Sequence, residues 1–230
     1  MKRVVTTGIV LGRIDFQEAD RILTVLTPDY GKITAMARGV RKVKSKLAGG
    51  IELFSVSHIT FIPGKGEIDT LISTRLQSHF GTIVKNLDRT MLGYELLKRI
   101  NKLTEAAAGP EYFDLLANAL EGLNDEQLSN DLLDFWFNMQ LLKITGHSPN
   151  LRTDTKEQPL SLHGTYEFDY DKMAFQETEQ GSFAANHIRL LRLAVNARKP
   201  RLLAKIEDSK KLLPQSLELA KAMLGRLVRL

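Results

Sequence analysis

The stretch ILTVLTPDYGKITAMARGV, residues 22–40, has the pattern of a β-hairpin. Its first six residues are β-branched or apolar, and Pro28, Asp29, Tyr30 and Gly31 are the residue types that favour a tight turn. The run KITAMARGV then resumes the strand pattern. The stretch therefore predicts two antiparallel strands joined at residues 28–31.

Three further strand patterns flank this hairpin within the first 80 residues. Residues 4–11 are rich in β-branched side chains, residues 51–62 are apolar in both registers, and residues 67–73 follow the turn sequence PGKG. Five strands with short connections and almost no helical spacing are typical of a small closed barrel.

Beyond about Phe80 the apolar residues recur at helical spacing. Between residues 147 and 182, prolines and glycines interrupt that spacing and leave one hairpin pattern, TYEFDYDKMAF. The predicted fold class is α+β, with a five-stranded barrel domain at 1–80 and a helical domain at 81–230 that contains a non-helical excursion at 147–182. The helices are predicted near residues 83–103, 111–121, 130–145, 182–196, 202–206 and 214–230.

Composition excludes several kinds of chemistry. The chain has 230 residues and no cysteine, which excludes disulfides, a thiolate nucleophile and a thiolate zinc site. It also lacks the GxxxxGK[ST], GxGxxG, HExxH and GxSxG motifs. We therefore expect a protein that is not an enzyme and has no cofactor. No stretch of about 20 apolar residues is present, so a cytoplasmic, nucleoid-associated protein is expected.

The charge is unevenly distributed along the chain. The formal net charge is +5, the two ends of the chain are basic, and the middle is acidic. The run ARGVRKVKSK, residues 37–46, contains no acid, which favours contacts with phosphate groups over an ordinary solvated surface. A second basic run, ARKPRLLAK, lies at 197–205. The predicted nucleic-acid contacts are Arg38, Arg41, Lys42, Lys44 and Lys46, with Arg13, Arg198, Lys199, Arg201 and Lys205 as additional candidates.

Two aromatic residues could stack on the bases of a single strand. Phe16 and Tyr30 fall in predicted loops or turns, where an exposed ring would be available, although packing over the barrel ends would also explain them. The acids Asp15, Glu18 and Asp20 could alternatively form a two-metal nuclease site, but Arg13 and Arg21 alongside them suggest ion pairs instead.

The run EADRILTVLTPDYGKITAMARGVRKVKSKLAGGIELFS, residues 18–55, resembles the N-terminal domain of the RecO family of bacterial recombination mediators. The shared features are an acid-x-Asp-Arg opening, a turn ending in Gly-Lys, and a Gly-x-Arg-Lys loop. The run LLKITGHSPNL, residues 141–151, is similar to the end of a helix in that family. The resemblance implies an OB-fold barrel at about 1–80 and a helical domain after it.

The resemblance also implies a function without bond chemistry. RecO-like proteins bind single- and double-stranded DNA and anneal complementary strands. They recognise the acidic C-terminal tail of single-stranded DNA-binding protein and, with RecR, help to load RecA. An apolar pocket with a positive rim in the helical domain is expected for that tail, although the sequence does not identify its residues.

One departure from the family concerns zinc. Many members carry four cysteines in the excursion, and residues 151–182 contain none, so zinc is not expected. Packing of Phe168 and Phe175 could hold the hairpin there, or the region could be loosely ordered. An RNA-binding OB-fold module remains an alternative, since no feature of the sequence indicates whether the 2′-hydroxyl group of RNA is recognised. A protein-interaction scaffold is a second alternative.

Overall fold

The structure is a computed structural model that describes residues 3–104, 108–206 and 209–227. Its first 80 residues form five strands, and the alternation of apolar residues in them explains the core. In β2 and β3, Leu23, Val25, Ala35 and Ala37 point inward, and all four are buried. The strands are β1 (Val4–Phe16), β2 (Asp20–Thr27), β3 (Gly31–Ala37), β4 (Ser55–Ile62) and β5 (Asp69–His79).

The five strands close into a barrel in the order β1-β2-β3-β5-β4, and β1 pairs with β4 to complete it. Neighbouring strands are antiparallel except β3 and β5, which run parallel over a short seam. The predicted hairpin turn is confirmed, because Thr27 pairs with Gly31 and Gly31 has a φ of 61°. The predicted α+β class with an N-terminal OB-fold barrel is thus confirmed.

Three strand boundaries differ from the sequence expectation by four residues or more, and one of them is the end of β5, which lies at His79 instead of near Ser73. Strand β1 continues to Phe16 instead of ending near Leu11, so that Asp15 and Phe16 lie in a strand and not in a loop. The expected strand at 51–62 begins only at Ser55, because Phe54 has a φ of 57° and a 3-10 turn occupies Ala48–Gly50. A positive φ at Phe54 interrupts the extended backbone just before β4.

Two helices lie with the barrel in a first compact unit, Met1–Glu126: α1 (Leu87–Leu103) and α2 (Pro110–Asn124). Gly93 lets α1 approach the barrel closely, since a Cβ atom there would lie 2.7 Å from the ring of Phe54. The buried face of α1 is formed by Leu96, Leu97 and Ile100. The domain boundary that the sequence predicts at residue 80 coincides with the end of the barrel strands. The division into domains at that residue stays a prediction.

The second compact unit, Gln127–Leu230, is built around α3 (Asn130–Ile144). Helix α3 ends as predicted at Gly146, which has a φ of 78°, and the amides of Gly146 and His147 donate to the carbonyls of Lys143 and Leu142. Helix α5 begins at Ser209, five residues before the predicted start, so Pro214 lies inside it. The other helices of this unit are α4 (Ala185–Asn196), a 3-10 helix (Pro200–Lys205) and α5 (Ser209–Leu227).

The excursion is a four-stranded sheet in the order β6-β8-β7-β9. The hairpin pattern is confirmed, with Phe168 opposite Phe175 and their ring centroids 5.0 Å apart. Phe183 extends this aromatic core, at 5.6 Å from Phe175. Apolar packing therefore organises this region. The strands are β6 (Asn150–Asp154), β7 (Thr165–Asp169), β8 (Ala174–Glu177) and β9 (Phe183–Ala184).

No helix within the described residues is long and apolar enough to cross a membrane.

Candidate nucleic-acid interface

The connection after β3, residues 38–46, is called the basic segment. Its start is fixed to the turn between β1 and β2 by two backbone amides. The amide of Gly39 donates to Oδ1 of Asp20 at 2.7 Å, and the amide of Arg41 donates to the carbonyl of Ala19 at 3.0 Å. Gly39 has a φ of 64°, a conformation that glycine adopts without the steric cost of a Cβ atom. The segment thus leaves the barrel along a defined path.

Apolar residues attach the basic segment to the barrel core. Val40 is buried in the barrel core, and Leu47, just past the segment, packs against that core. The carbonyl of Leu47 accepts a hydrogen bond of 3.1 Å from Oγ1 of Thr74 in β5. Inside the segment, the amide of Ser45 donates to the carbonyl of Lys42 at 2.9 Å. The segment is therefore attached to the barrel at both ends.

The five cations of the basic segment all point to solvent. Nε of Arg41 lies 3.6 Å from Oδ2 of Asp15, which is a long ion pair. Within the described part of the chain, no ion pair engages Arg38, Lys42, Lys44 or Lys46. Four positive charges therefore stand uncompensated within nine residues, which is a favourable arrangement for phosphate contacts.

Two of the three acids considered for a nuclease site, Asp15 and Asp20, have structural roles instead. Asp15 accepts a 2.7 Å hydrogen bond from Nε of Arg21 on the facing strand, and Asp20 accepts the amide of Gly39. The hydrogen bond from Arg21, with the nearby charges of Arg41 and Arg13, lowers the pKa of Asp15. Among the described residues, no three His, Asp or Glu side chains are grouped so that they could hold a metal ion. Asp15 and Asp20 therefore bind arginines and the backbone.

Arg13 is less available than the cations of the basic segment. Its Nη1 donates to Oε2 of Glu52 at 2.9 Å, and both side chains are partly exposed. The pair neutralises part of the charge next to the segment. Arg13 as a DNA contact stays a prediction.

The two aromatic candidates lie at opposite ends of β2. Phe16, at the end of β1, is paired with Asp20, close to the anchor of the basic segment, and its side chain is exposed. Tyr30 follows the other end of β2 and packs edge-on against Phe61, with centroids 5.7 Å apart. The structure therefore places Phe16 beside the cations and separates Tyr30 from them by about 20 Å of strand.

The sequence analysis missed an apolar row on the outer face of the barrel. Ile14, Ile22 and Met36 are paired across β1, β2 and β3, next to Phe16. Their neighbours in β2 and β3 point into the core, so this row faces outward. In OB-folds, the face of the second and third strands binds nucleic acid. Charged and apolar residues alternate from Arg13 to Phe16, and this alternation in the sequence could have predicted the apolar row.

The second basic run belongs to the other compact unit. Arg198 and Lys199 precede the 3-10 helix, which contains Arg201 and Lys205, and all four residues are exposed. Nη2 of Arg201 lies 3.4 Å from Oε1 of Gln127. The structure thus groups the predicted contacts into one set on the barrel and one set on the helical unit.

The helical unit also contains a depression of about 370 Å³ between α4, the 3-10 helix and α5. Its lining combines apolar side chains with two cations, which is the combination expected for an acidic peptide that ends in apolar residues. The sequence could not identify it because its residues come from three separate elements. The main lining residues are Arg189, Leu190, Leu193, Lys205, Ile206 and Leu212.

A closed five-stranded barrel in the order β1-β2-β3-β5-β4 places the N-terminal part of the chain in the class of OB-fold proteins. Comparison with family models gives the particular family. Residues 1–80 match the model described as "Recombination protein O N terminal", and residues 86–228 match "Recombination protein O C terminal". The chain therefore belongs to the recombination protein O (RecO) family, and the resemblance stated from the sequence is confirmed.

Individual relatives agree with this assignment. The chain is 36% identical over 148 residues to the "DNA repair protein RecO" of Dehalococcoides mccartyi (strain ATCC BAA-2266), covering 64% of this chain and 58% of the relative. It is 34% identical over 145 residues to the protein of the same name from Rhodopirellula baltica, covering 62% and 53%. The relative from Listeria welshimeri is 26% identical over 200 residues, covering 81% and 74%. The matched stretch is thus little more than half the length of the first two relatives.

Proposed function

We propose that this protein is a non-catalytic mediator of DNA repair and homologous recombination that binds single- and double-stranded DNA through its barrel and promotes the annealing of complementary strands. The observation that carries the proposal is the basic segment: four exposed cations without ion-pair partners in the described chain, anchored beside an outward apolar row. Membership of the RecO family and the printed name of the relatives support the role in repair.

Annealing follows from electrostatics and needs no bond to be made or broken. Two complementary strands repel each other through their phosphates, and clustered Lys and Arg side chains reduce that repulsion by neutralising charge and releasing counterions. Contacts to the phosphates leave the base edges free to pair. In this mechanism Phe16 and the row of Ile14, Ile22 and Met36 support unpaired bases next to the basic segment.

The proposed partners are RecR, the acidic C-terminal tail of single-stranded DNA-binding protein and, indirectly, RecA. For the tail, the depression in the helical unit is our candidate site. Arg189 and Lys205 would meet the acidic residues, and Leu190, Leu193 and Ile206 would surround an apolar end. Assembly with RecR on covered single strands is the step by which the mediator would help to load RecA.

The test is a strand-annealing assay with a charge-neutralised variant. Arg41→Gln with Lys42→Gln and Lys44→Gln should slow annealing of labelled strands and weaken DNA binding by about tenfold or more. It should also reduce the slope of log affinity against log salt by roughly two to three, because each lost phosphate contact lowers the slope by about one. Affinity is measured by fluorescence anisotropy between about 50 and 200 mM salt.

The matched control removes the same charge elsewhere. Lys85→Gln with Lys156→Gln and Lys172→Gln also replaces three exposed cations, so net charge is equal in the two variants. If both triple variants lose the same affinity and slope, binding depends on net charge and the assignment to the basic segment is wrong. Strand cleavage that requires magnesium would favour the nuclease alternative, and tighter binding to an RNA strand of the same sequence would favour the RNA-binding alternative.

A further inference from the structure

The arginines at and beside the start of the basic segment are paired with two carboxylates. Oδ1 of Asp15 accepts a 2.7 Å hydrogen bond from Nε of Arg21, and Oδ2 of the same carboxylate lies 3.6 Å from Nε of Arg41. Nη1 of Arg13 donates to Oε2 of Glu52 at 2.9 Å. These five side chains are called the ion-pair cluster. Three positive and two negative charges give the cluster a net charge of only +1.

The ion-pair cluster lies near the turn of the β1–β2 hairpin and is open to solvent. Arg13 is paired with Leu23 and Asp15 with Arg21, so these charged residues share the face of the hairpin that carries the buried Leu23. The side chains of Asp15 and Glu52 are 52% and 50% exposed. A phosphate group from solvent can therefore approach the arginines that the two acids contact.

A carboxylate and a phosphate are alternative partners for the same guanidinium group, because both offer oxygen atoms in a geometry that arginine binds. The 3.6 Å contact between Asp15 and Arg41 is longer than a hydrogen bond, and exposed ion pairs of this kind contribute little to stability. The hydrogen bond from Arg21, with the charges of Arg41 and Arg13, lowers the pKa of Asp15, so its carboxylate is charged near neutral pH. Asp15 thus occupies the position that a phosphate would take beside Arg41.

We propose that Asp15 and Glu52 are internal counterions that limit the affinity for nucleic acid, since each neutralises an arginine that would otherwise contact a phosphate. The inference rests on the proposed function, in which the basic segment binds DNA. An arginine already neutralised by a carboxylate releases no counterion when it meets a phosphate, so it adds little to the salt-dependent part of the affinity. Removing the carboxylate should convert Arg41 or Arg13 into a further phosphate contact.

The variants Asp15→Asn and Glu52→Gln test the proposal, because each keeps the size of the side chain and removes its charge. Fluorescence anisotropy of the full chain with a labelled single strand measures affinity against salt. Each variant should steepen the slope of log affinity against log salt by about 0.5–0.9, which tightens binding by about threefold to eightfold at about 0.1 M salt.

The matched control is Glu179→Gln, at an exposed acid of the other compact unit that has no ion pair within the described residues. It changes the net charge by the same amount and should bind like the parent. Equal gains in affinity and slope in all three variants would overturn the proposal, because net charge alone would then explain them.

A second background shows whether Asp15 acts through Arg41. In a chain that already carries Arg41→Gln, the change Asp15→Asn should give no more than about a third of its gain in log affinity, since the arginine that it would release is absent. A gain of full size in that background would refute the role of Asp15 as the counterion of Arg41. Circular dichroism checks that each variant is folded.

The triple variant Arg41→Gln, Lys42→Gln and Lys44→Gln separates this inference from the proposed function. If that variant binds DNA as tightly as the parent, the proposed function of the basic segment fails. If it loses affinity while Asp15→Asn and Glu52→Gln bind like the parent, the basic segment remains the DNA site and only the role of the two acids is wrong.

Discussion

At the scale of single residues, the conformation of Gly39 determines how the basic segment leaves the barrel. Its φ of 64° lies in the left-handed region, and a Cβ atom there would meet only Lys42 at an ordinary 3.7 Å. Gly39→Ala should therefore lower the free energy of unfolding by about 1–2 kcal/mol through backbone strain alone. Urea unfolding measures this change.

The control for Gly39 is Gly66, whose φ lies outside the left-handed region and where an added Cβ atom would meet nothing within 4 Å. Gly66→Ala should leave stability unchanged or raise it by up to about 1 kcal/mol, because it restricts the unfolded chain. If Gly39→Ala is equally neutral, the left-handed conformation is not required. DNA affinity should fall only in the Gly39 variant, since that variant disturbs the anchor to Asp20.

His187 gives the helical unit a pH-dependent stability. Burial lowers the pKa of His187, and its Nδ1 accepts a 3.1 Å hydrogen bond from the amide of Ala184. A folded-state pKa below the unfolded value of about 6.5 means that the unfolded chain takes up the proton first as the pH falls. The contribution of His187 is therefore complete above about pH 6.5 and is lost as the pH falls below it.

His187→Gln should remove this dependence while keeping an acceptor for the amide of Ala184. The difference in unfolding free energy between parent and variant, measured by urea titration from about pH 8 to pH 5, should shift in favour of the variant as the pH falls. A constant difference across that range would contradict the assignment.

At the scale of elements, α3 closes the end of α4. Nε2 of Gln140 donates to the carbonyls of Ala194 and Val195, and Nε1 of Trp136 donates to that of Ala197 at 2.8 Å. The carbonyls of Ala194 and Val195 lie in the last turn of α4 and lack partners within that helix, and that of Ala197 belongs to the residue that caps it. Gln140→Leu should lower the unfolding free energy by about 1–3 kcal/mol, because the carbonyl of Ala194 loses this donor, whereas that of Val195 keeps its 3.1 Å hydrogen bond from Nζ of Lys143. Gln176→Leu, at an exposed site, should cost less than about 0.5 kcal/mol, and calorimetry compares the two.

Some features of the helices and strands could be predicted from the sequence alone. The turn at residues 28–31 and the end of α3 at Gly146 were predictable, because local backbone geometry decides them. The C-terminal end of β1 and the choice of the buried face of α1 were not predictable from the sequence. Helical spacing cannot tell which of two apolar faces is buried, and the barrel selects Leu96, Leu97 and Ile100 over Leu87, Met91 and Tyr94.

At the scale of the whole molecule, the exposure of the basic segment was predictable from the sequence, and its attachment to the barrel was not. The absence of acids in residues 37–46 identified the charge from the sequence alone. Asp20 and Val40 attach the basic segment to the barrel. Their contacts join separate parts of the chain, so the spacing of residues along the sequence does not predict them.

The short pairing between β3 and β5 determines where the barrel opens transiently. These two strands are joined at only two register positions, Ala35 with Asp69 and Met36 with Thr70, whereas the other strand pairs are longer. Brief opening should therefore begin here, and deuterium should replace the amide hydrogens of this seam before those of β1 and β4. Because the basic segment starts directly after β3, a bound strand that steadies the segment would slow that replacement.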